Sequence, residues 1–138
     1  MKVTDQLVGM FGIMHDGTIV DASWDDAYLD LKIEIPYLAK LVDKEFKHFQ
    51  VRLDSVSQIE FETWPARLEE ETKVLDDRDL IFEEEIEIFK ADRKGGVVQI
   101  TCNIDSSNSE YCGGQLRIMA KSWNIKKLKK GLSHSKPG

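Results

Sequence analysis

The sequence lacks the features that mark several large classes of protein. Its longest apolar run, residues 7–14, is far too short to span a bilayer. Asp5 precedes that run, and a His-Asp-Gly string follows it where a signal peptide would carry small residues for cleavage. There are only two cysteines, Cys102 and Cys112, which is too few for a disulfide framework. We therefore expect a cytoplasmic protein with reduced thiols; pairing of the two cysteines across one loop is the alternative.

Recognisable catalytic patterns are missing as well. The chain has no Gly-x-Ser-x-Gly elbow, no phosphate loop and no dinucleotide fingerprint. Cys102 shares the parity of core residues, and Cys112 has no histidine nearby in sequence to activate it. His15 and Asp16 would need further ligands from elsewhere to hold a metal ion. The sequence predicts a protein that is not an enzyme, with no catalytic, cofactor-binding or metal-binding residues. An enzyme whose site is assembled from distant residues is the alternative.

Basic charge is scarce except at the end of the chain. The formal net charge is -6, and residues 60–92 hold thirteen acidic and four basic side chains, a local balance of 4 - 13 = -9. Residues 111–138 hold seven basic side chains and no acidic one. Residues 126–138 are predicted to form a basic, flexible tail. The overall negative charge argues against a nucleic-acid partner, and Trp123 is the only aromatic residue near the lysines. A protein partner or self-association into a homo-oligomer fits better.

The chain is rich in segments in which apolar and polar residues alternate. The pattern is clearest over residues 29–35, where four apolar side chains alternate with three charges, as in a half-buried strand. Residues 19–24 are predicted to be its hairpin partner, with Asp25 and Asp26 in the turn. Gly95-Gly96 is predicted to be a second hairpin turn, and Gly113-Gly114 a further turn. Further strands are predicted over residues 7–14, 49–53, 59–61, 80–90, 98–104 and 116–120, with the strands at 49–53 and 59–61 as neighbours. Short helices are predicted over residues 37–43 and 66–75, and a loop over 105–114.

These elements predict a mainly β fold, at the border of the α+β class. About eight antiparallel strands would form a sandwich or a partly closed barrel, with one or two short helices. Residues 1–125 would make a single domain, because the chain is long enough for one core and shows no internal repeat.

Four neighbouring glutamates are the most conspicuous candidate site. Glu83, Glu85 and Glu87 are expected to lie on an exposed strand face and, together with Trp123, to form a candidate interface. Glu84 has the same parity as the apolar residues of its strand. It either turns outward at a bulge or points inward and lines a candidate ligand pocket.

The string His15-Asp16-Gly17-Thr18-Ile19, which leads into an alternating strand, resembles a pattern in small bacterial β proteins. In those proteins a Phe-His-Asp-(Gly/Ala)-x-Ile string opens the domain, and some of them are immunity proteins of polymorphic toxin systems. Met14 stands here in place of the usual Phe, and the resemblance covers the first third of the chain. It implies a binding protein that neutralises a partner, with residues 69–87 as the acidic surface. A barrel that binds a small molecule near Glu84 is the alternative function.

Overall fold

The computed structural model describes residues 2–35, 48–66, 70–104 and 111–128. Within these segments, nine antiparallel strands form one open sheet that does not close into a barrel, accompanied by two short helices. The predicted mainly β fold is confirmed. The helices are α1 (Val3–Ile13) and α2 (Arg78–Ile81). The strands are β1 (Thr18–Trp24), β2 (Tyr28–Glu34), β3 (His48–Asp54), β4 (Gln58–Pro65), β5 (Val74–Leu75), β6 (Ile86–Lys94), β7 (Val97–Asn103), β8 (Tyr111–Met119) and β9 (Ser122–Leu128).

Two tight hairpins form as predicted. β1 and β2 pair antiparallel, and Asp25 in their turn accepts backbone hydrogen bonds from Ala27 and Tyr28. β6 and β7 are joined by a turn at Gly95, whose φ of 62° is a conformation that glycine adopts without strain. The strand order across the sheet is β5-β4-β8-β7-β6-β1-β2-β3-β9.

The β3 and β4 strands follow each other in the chain but are not neighbours, so the predicted pairing of these two strands is wrong. β3 pairs with β2 and β9, whereas β4 pairs with β8 and β5. The β3–β4 and β8–β9 connections run side by side: Ser57 N–H donates to the Met119 carbonyl, and Lys121 N–H donates to the Asp54 carbonyl, each at 2.9 Å. Residues 48–65 and 111–128 thus form one long antiparallel ribbon that bends at these connections and joins the two ends of the sheet. An alternating pattern specifies which face is buried but not which strand lies alongside, which is why the sequence could not show this ribbon.

Residues 3–13 form a helix, and the strand predicted over residues 7–14 is wrong. Leu7, Met10 and Phe11 are buried on one side of α1. Their spacing is helical, and burying these three side chains outweighs the cost of two helical glycines, about 1 kcal/mol each. Gly9 and Gly12 leave open space around them, so neither is required by close packing.

Helix α1 lies beside the second half of β6, where β1 no longer pairs. β1 and β6 pair only at two positions, after which the helix takes the place of a neighbouring strand. Asp5 pairs with Arg93 at 3.0 Å, and Thr4 Oγ1 donates to the Gly96 carbonyl at 2.9 Å. On its other side, Gln6 Oε1 accepts a hydrogen bond from Trp123 Nε1 at 2.9 Å. The helix therefore fills the opening between β6 and the last strand.

The hydrophobic core lies on the inner face of the curved sheet and under α1. The predicted alternation is confirmed in β2 and β7, whose inward-facing apolar side chains are almost entirely buried. The largest fully buried side chains are Phe11, Phe61, Leu7, Leu29, Leu31, Ile33, Ile35, Leu53, Ile81, Ile86, Ile88 and Ile100.

The chain between β4 and β7 differs from the prediction in two places. The described part of the predicted helix over residues 66–75 contains no helix and ends in the short strand β5, which pairs with β4. The strand predicted over residues 80–90 begins only at Ile86, because residues 78–81 form α2. Asp77 starts that helix, since its Oδ1 accepts a hydrogen bond from Asp79 N–H at 2.9 Å.

The C-terminal part also contains more strand than predicted. β8 begins at Tyr111, inside the predicted loop over residues 105–114, and β9 extends to Leu128, three residues beyond the predicted end of the domain. Gly113 and Gly114 belong to β8 and are not a turn. The helix predicted over residues 37–43 lies outside the described residues, as does the tail beyond residue 128.

Candidate protein-binding surface

The His-Asp-Gly turn joins α1, β1 and β6. Asp16 adopts a φ of 69°, its N–H donates to the Ile88 carbonyl at 2.8 Å, and Ile88 N–H donates to the Gly17 carbonyl at the same distance. A side chain at Gly17 would overlap the Met14 carbonyl (2.8 Å) and the Ile35 side chain (2.9 Å), so the buried position requires glycine. The string on which the resemblance rests therefore has a structural role in this chain. The His15 ring hydrogen-bonds the Gly12 carbonyl.

The acidic strip, which we define as Glu83, Glu85 and Glu87, is exposed along the entry to the central strand β6. All three side chains are open to solvent. Glu87 lies on the outer face of β6, where it accepts a hydrogen bond from Asn103 at 3.4 Å, while the other two precede the strand. Within the described part of the chain, none of the three forms an ion pair with a lysine or arginine.

Two large apolar side chains are exposed beside the acidic strip. Phe89, two residues beyond Glu87, is 56% exposed and sits at an irregularity where the β6–β7 register shifts. That shift turns it out of the sheet pairing. Ile13, at the end of α1, is 66% exposed. The hydrogen bonds between the His-Asp-Gly turn and Ile88 bring the end of α1 and this part of β6 together. Sequence reasoning missed both residues, because Phe89 has the parity of an outward-facing position without any signal that it is uncovered.

Glu84 does not belong to a strand and lies half-buried in the segment between α2 and β6. It helps to line a cavity of about 70 Å³, together with Val20, Phe82 and neighbouring residues. Pockets that bind small organic ligands measure roughly 300–1,000 Å³. The cavity beside Glu84 is therefore large enough for only a few water molecules.

A larger depression of about 440 Å³ lies at the end of the sheet where β5 stops. It is open to solvent and is lined by polar residues of β4 together with Val74, Asp76 and Arg78. No buried polar group without a hydrogen-bond partner occurs among the described side chains.

Trp123 lies apart from the acidic strip. It is on β9, at one end of the sheet, and three strands separate β9 from β6 in the strand order. Its indole nitrogen hydrogen-bonds Gln6 and its ring is partly buried against the core. The candidate interface predicted from sequence is therefore divided between two places, and only the three glutamates stay together.

Two groups of carboxylates on the outer face are neutralised by arginines, in contrast to the acidic strip. Arg117 donates to Glu60 at 3.0 Å and to Glu62 at 2.8 Å, and its Nε donates to Gln99. Asp30 receives a bidentate pair from Arg52 with both distances at 2.8 Å, which lowers the pKa of Asp30. These two clusters hold neighbouring strands together on the outer face.

The thiols and the histidines do not form a catalytic or metal-binding cluster within the described segments. Both cysteines are free, and burial raises the pKa of Cys102 to about 12, which makes it a poor nucleophile. Cys112 is exposed and lies 3.6 Å from the Trp64 carbonyl. No set of three histidine, cysteine, aspartate or glutamate residues in this part of the chain is arranged to hold a metal ion.

The fold and the surface place the chain in a broad class: an antiparallel β protein built from one open sheet and a helix. Comparison with protein families, curated proteins and solved structures found no match. None of the helices in the described segments is long and apolar enough to cross a membrane.

Proposed function

We propose that this protein is a non-catalytic binding protein that acts through the acidic strip, with Phe89 as the apolar anchor. The observation that carries the proposal is a contrast in charge pairing. The carboxylates on β2 and β4 are held by Arg52 and Arg117, whereas those of the strip have no basic partner in the described structure. Exposed carboxylates attract a partner with a basic surface, and an exposed aromatic side chain on the same strand offers it an apolar contact.

The partner that fits this surface is a protein with a basic patch around an apolar recess. Phe89 would fill the recess, and lysine or arginine side chains would pair with Glu83, Glu85 and Glu87. In the immunity-like form of this proposal, binding covers the functional site of the partner and neutralises it. A second copy of the chain is the other partner to be distinguished, since the C-terminal strands are basic.

Affinity purification from the native cells, with the purified protein as bait, tests the proposal. Two variants are compared with the wild-type protein. The strip variant carries Glu83→Lys, Glu85→Lys and Glu87→Lys, and the second variant carries Phe89→Ser. We expect both to lose a partner that the wild-type protein retains. A control variant with two reversals at exposed acids outside residues 69–87, Asp26→Lys and Asp92→Lys, should keep it.

Light scattering on the same proteins separates self-association from binding of a different protein. If the wild-type protein is a dimer and the strip variant a monomer, the partner is a second copy. Retention of the same partner by the strip variant would disprove the proposed surface. For the immunity-like form, a retained partner that is an enzyme must be inhibited by a stoichiometric amount of the wild-type protein.

A further inference from the structure

Among the described strands, β9 leaves one long edge of the sheet without a neighbour. It is the terminal strand of the described sheet and pairs only with β3, in unbroken register from His48 to Asp54. The opposite edge is β5, which has just two residues. Proteins usually protect an edge by keeping the strand short, bulged or covered, or by placing charged side chains on it, lysine above all. β9 is neither short nor bulged, and its lysines are the protection that it carries.

Only the first part of β9 is covered. Trp123 is bound to α1 through Gln6, and beyond it the edge from residue 124 to residue 128 has no described neighbour. At roughly 3.3 Å per residue this open edge is about 17 Å long. Ile125 pairs with the buried Val51 and has the parity of the core face, but it is 41% exposed. Among the described residues, no further strand covers the Ile125 side chain on the inner face of the sheet.

The basic charge along this edge indicates which kind of strand could pair with it. Lys126 is exposed, Lys127 follows it, and Lys32 lies in the same row of the sheet across Gln50. Residues 111–138 contain no acidic side chain. Two copies pairing antiparallel through β9 around residue 126 would bring their Lys126 side chains opposite each other, and like charges in opposite positions are destabilising. Pairing of β9 with the β9 strand of a second copy is therefore disfavoured, and an acidic strand is favoured.

We infer that the β9 edge binds an extended acidic segment of another protein, which adds a tenth strand beside residues 124–128. Alternate side chains of that segment would be apolar and cover Ile125, while those between them would be carboxylates beside Lys126. Backbone hydrogen bonds to the open edge supply affinity in this mode, and the side chains supply specificity. This surface is separate from the acidic strip and does not depend on it.

A labelled peptide tests the inference directly. The probe is a fluorescein-labelled peptide in which glutamate and valine alternate over eight positions, and binding is measured by fluorescence anisotropy. We expect the wild-type protein to bind it, Lys126→Glu to weaken binding about tenfold and Ile125→Ser to weaken it several-fold. The matched control Lys90→Glu reverses an exposed lysine on the central strand β6 and should change binding less than about twofold.

Two further peptides test the mode of binding. A peptide of the same sequence with an N-methyl group on every backbone amide keeps its charge but cannot donate a backbone hydrogen bond from either edge, and it should not bind. A lysine–valine peptide should not bind either, because its charge is that of β9. Equal binding of the N-methylated peptide, equal losses in Lys126→Glu and Lys90→Glu, or no binding of the glutamate peptide at about 1 mM would overturn the inference. Light scattering on the protein without peptide provides a further check. If the wild-type protein has the mass of a dimer and Lys126→Glu has a different mass, the occupant of the edge is a second copy and the inference is overturned.

Discussion

Replacing glycine by alanine should have opposite effects on stability at two positions, Gly114 in β8 and Gly9 in α1. A Cβ atom at Gly114 would overlap the Glu62 carbonyl and would stand 2.6 Å from the Phe61 ring. Neither neighbour can move easily, because the carbonyl belongs to the paired strand β4 and the ring is 1% exposed. At Gly9 an added Cβ meets nothing within 4 Å.

The sizes of the two effects follow from these surroundings. Overpacking of a rigid core lowers the free energy of unfolding by about 1–3 kcal/mol. Replacing glycine by alanine also raises it by about 0.4–1 kcal/mol, because the unfolded chain then has less conformational entropy. We therefore expect Gly114→Ala to lower the free energy of unfolding by about 1–2 kcal/mol. Gly9→Ala should raise it by up to about 1 kcal/mol, because alanine is the better helix former and nothing obstructs it.

Thermal and urea unfolding measured by circular dichroism check both values. For a chain of this size, 1 kcal/mol corresponds to roughly 3–4 °C in Tm, so Gly114→Ala should melt about 3–8 °C lower and Gly9→Ala up to about 4 °C higher. Each protein should keep the wild-type far-ultraviolet spectrum at 20 °C, which shows that the variants are folded before they are compared. Wild-type stability in Gly114→Ala would refute the close approach of β4 and β8. A loss of stability in Gly9→Ala would refute the helix.

Three further predictions can be checked, two on single variants and one on the wild-type protein. Arg117→Met should lower the free energy of unfolding by about 1–3 kcal/mol in urea titrations, because it leaves two adjacent carboxylates without their cation; an unchanged midpoint would show that the cluster contributes nothing. Since the pKa of Asp30 is lowered by Arg52, its contribution is complete above about pH 4 and is lost as the pH falls through the folded-state pKa. The stability difference between the wild-type protein and Asp30→Asn should therefore shrink in acid, and a difference that grows would contradict the assignment. With Ellman's reagent at pH 8, Cys112 should react in the folded protein and Cys102 only after unfolding.

The β strands were predictable wherever one face is buried, and they account for most of the correct part of the prediction. Leu29, Leu31 and Ile33 alternate with charged residues because the sheet has a core side and a solvent side. The two hairpins followed from their turns, at Asp25 and at Gly95. These features are local, and a local pattern is enough to specify them.

A local pattern was not enough to predict which strands pair in the sheet or that residues 3–13 form a helix. The bent ribbon pairs residues 48–65 with residues 111–128, and no periodicity in either segment refers to the other. In α1, the two glycines argued for a strand by propensity, while the spacing of Leu7, Met10 and Phe11 required a helix. Tertiary packing decided between them, as it often does when propensity is the weaker term.

The candidate site was predicted only in part, and for the same reason. The exposure of Glu83, Glu85 and Glu87 follows from their charge. The exposure of Phe89 depends on a register shift and on α1 ending nearby, and both are properties of the assembled fold. The open edge at β9 depends on strand order, which the sequence does not display.

The contacts between the first helix and the last strand have a consequence for synthesis on the ribosome. Gln6 and Trp123 are separated by 117 positions, yet their side chains are bonded, and β3 cannot be paired on its outer side until β9 has emerged. Almost the whole chain must leave the exit tunnel before its core can be sealed, so the nascent protein will spend seconds with apolar surface uncovered. A chain organised in this way should depend on chaperones during translation more than a protein whose neighbouring strands are also neighbours in sequence.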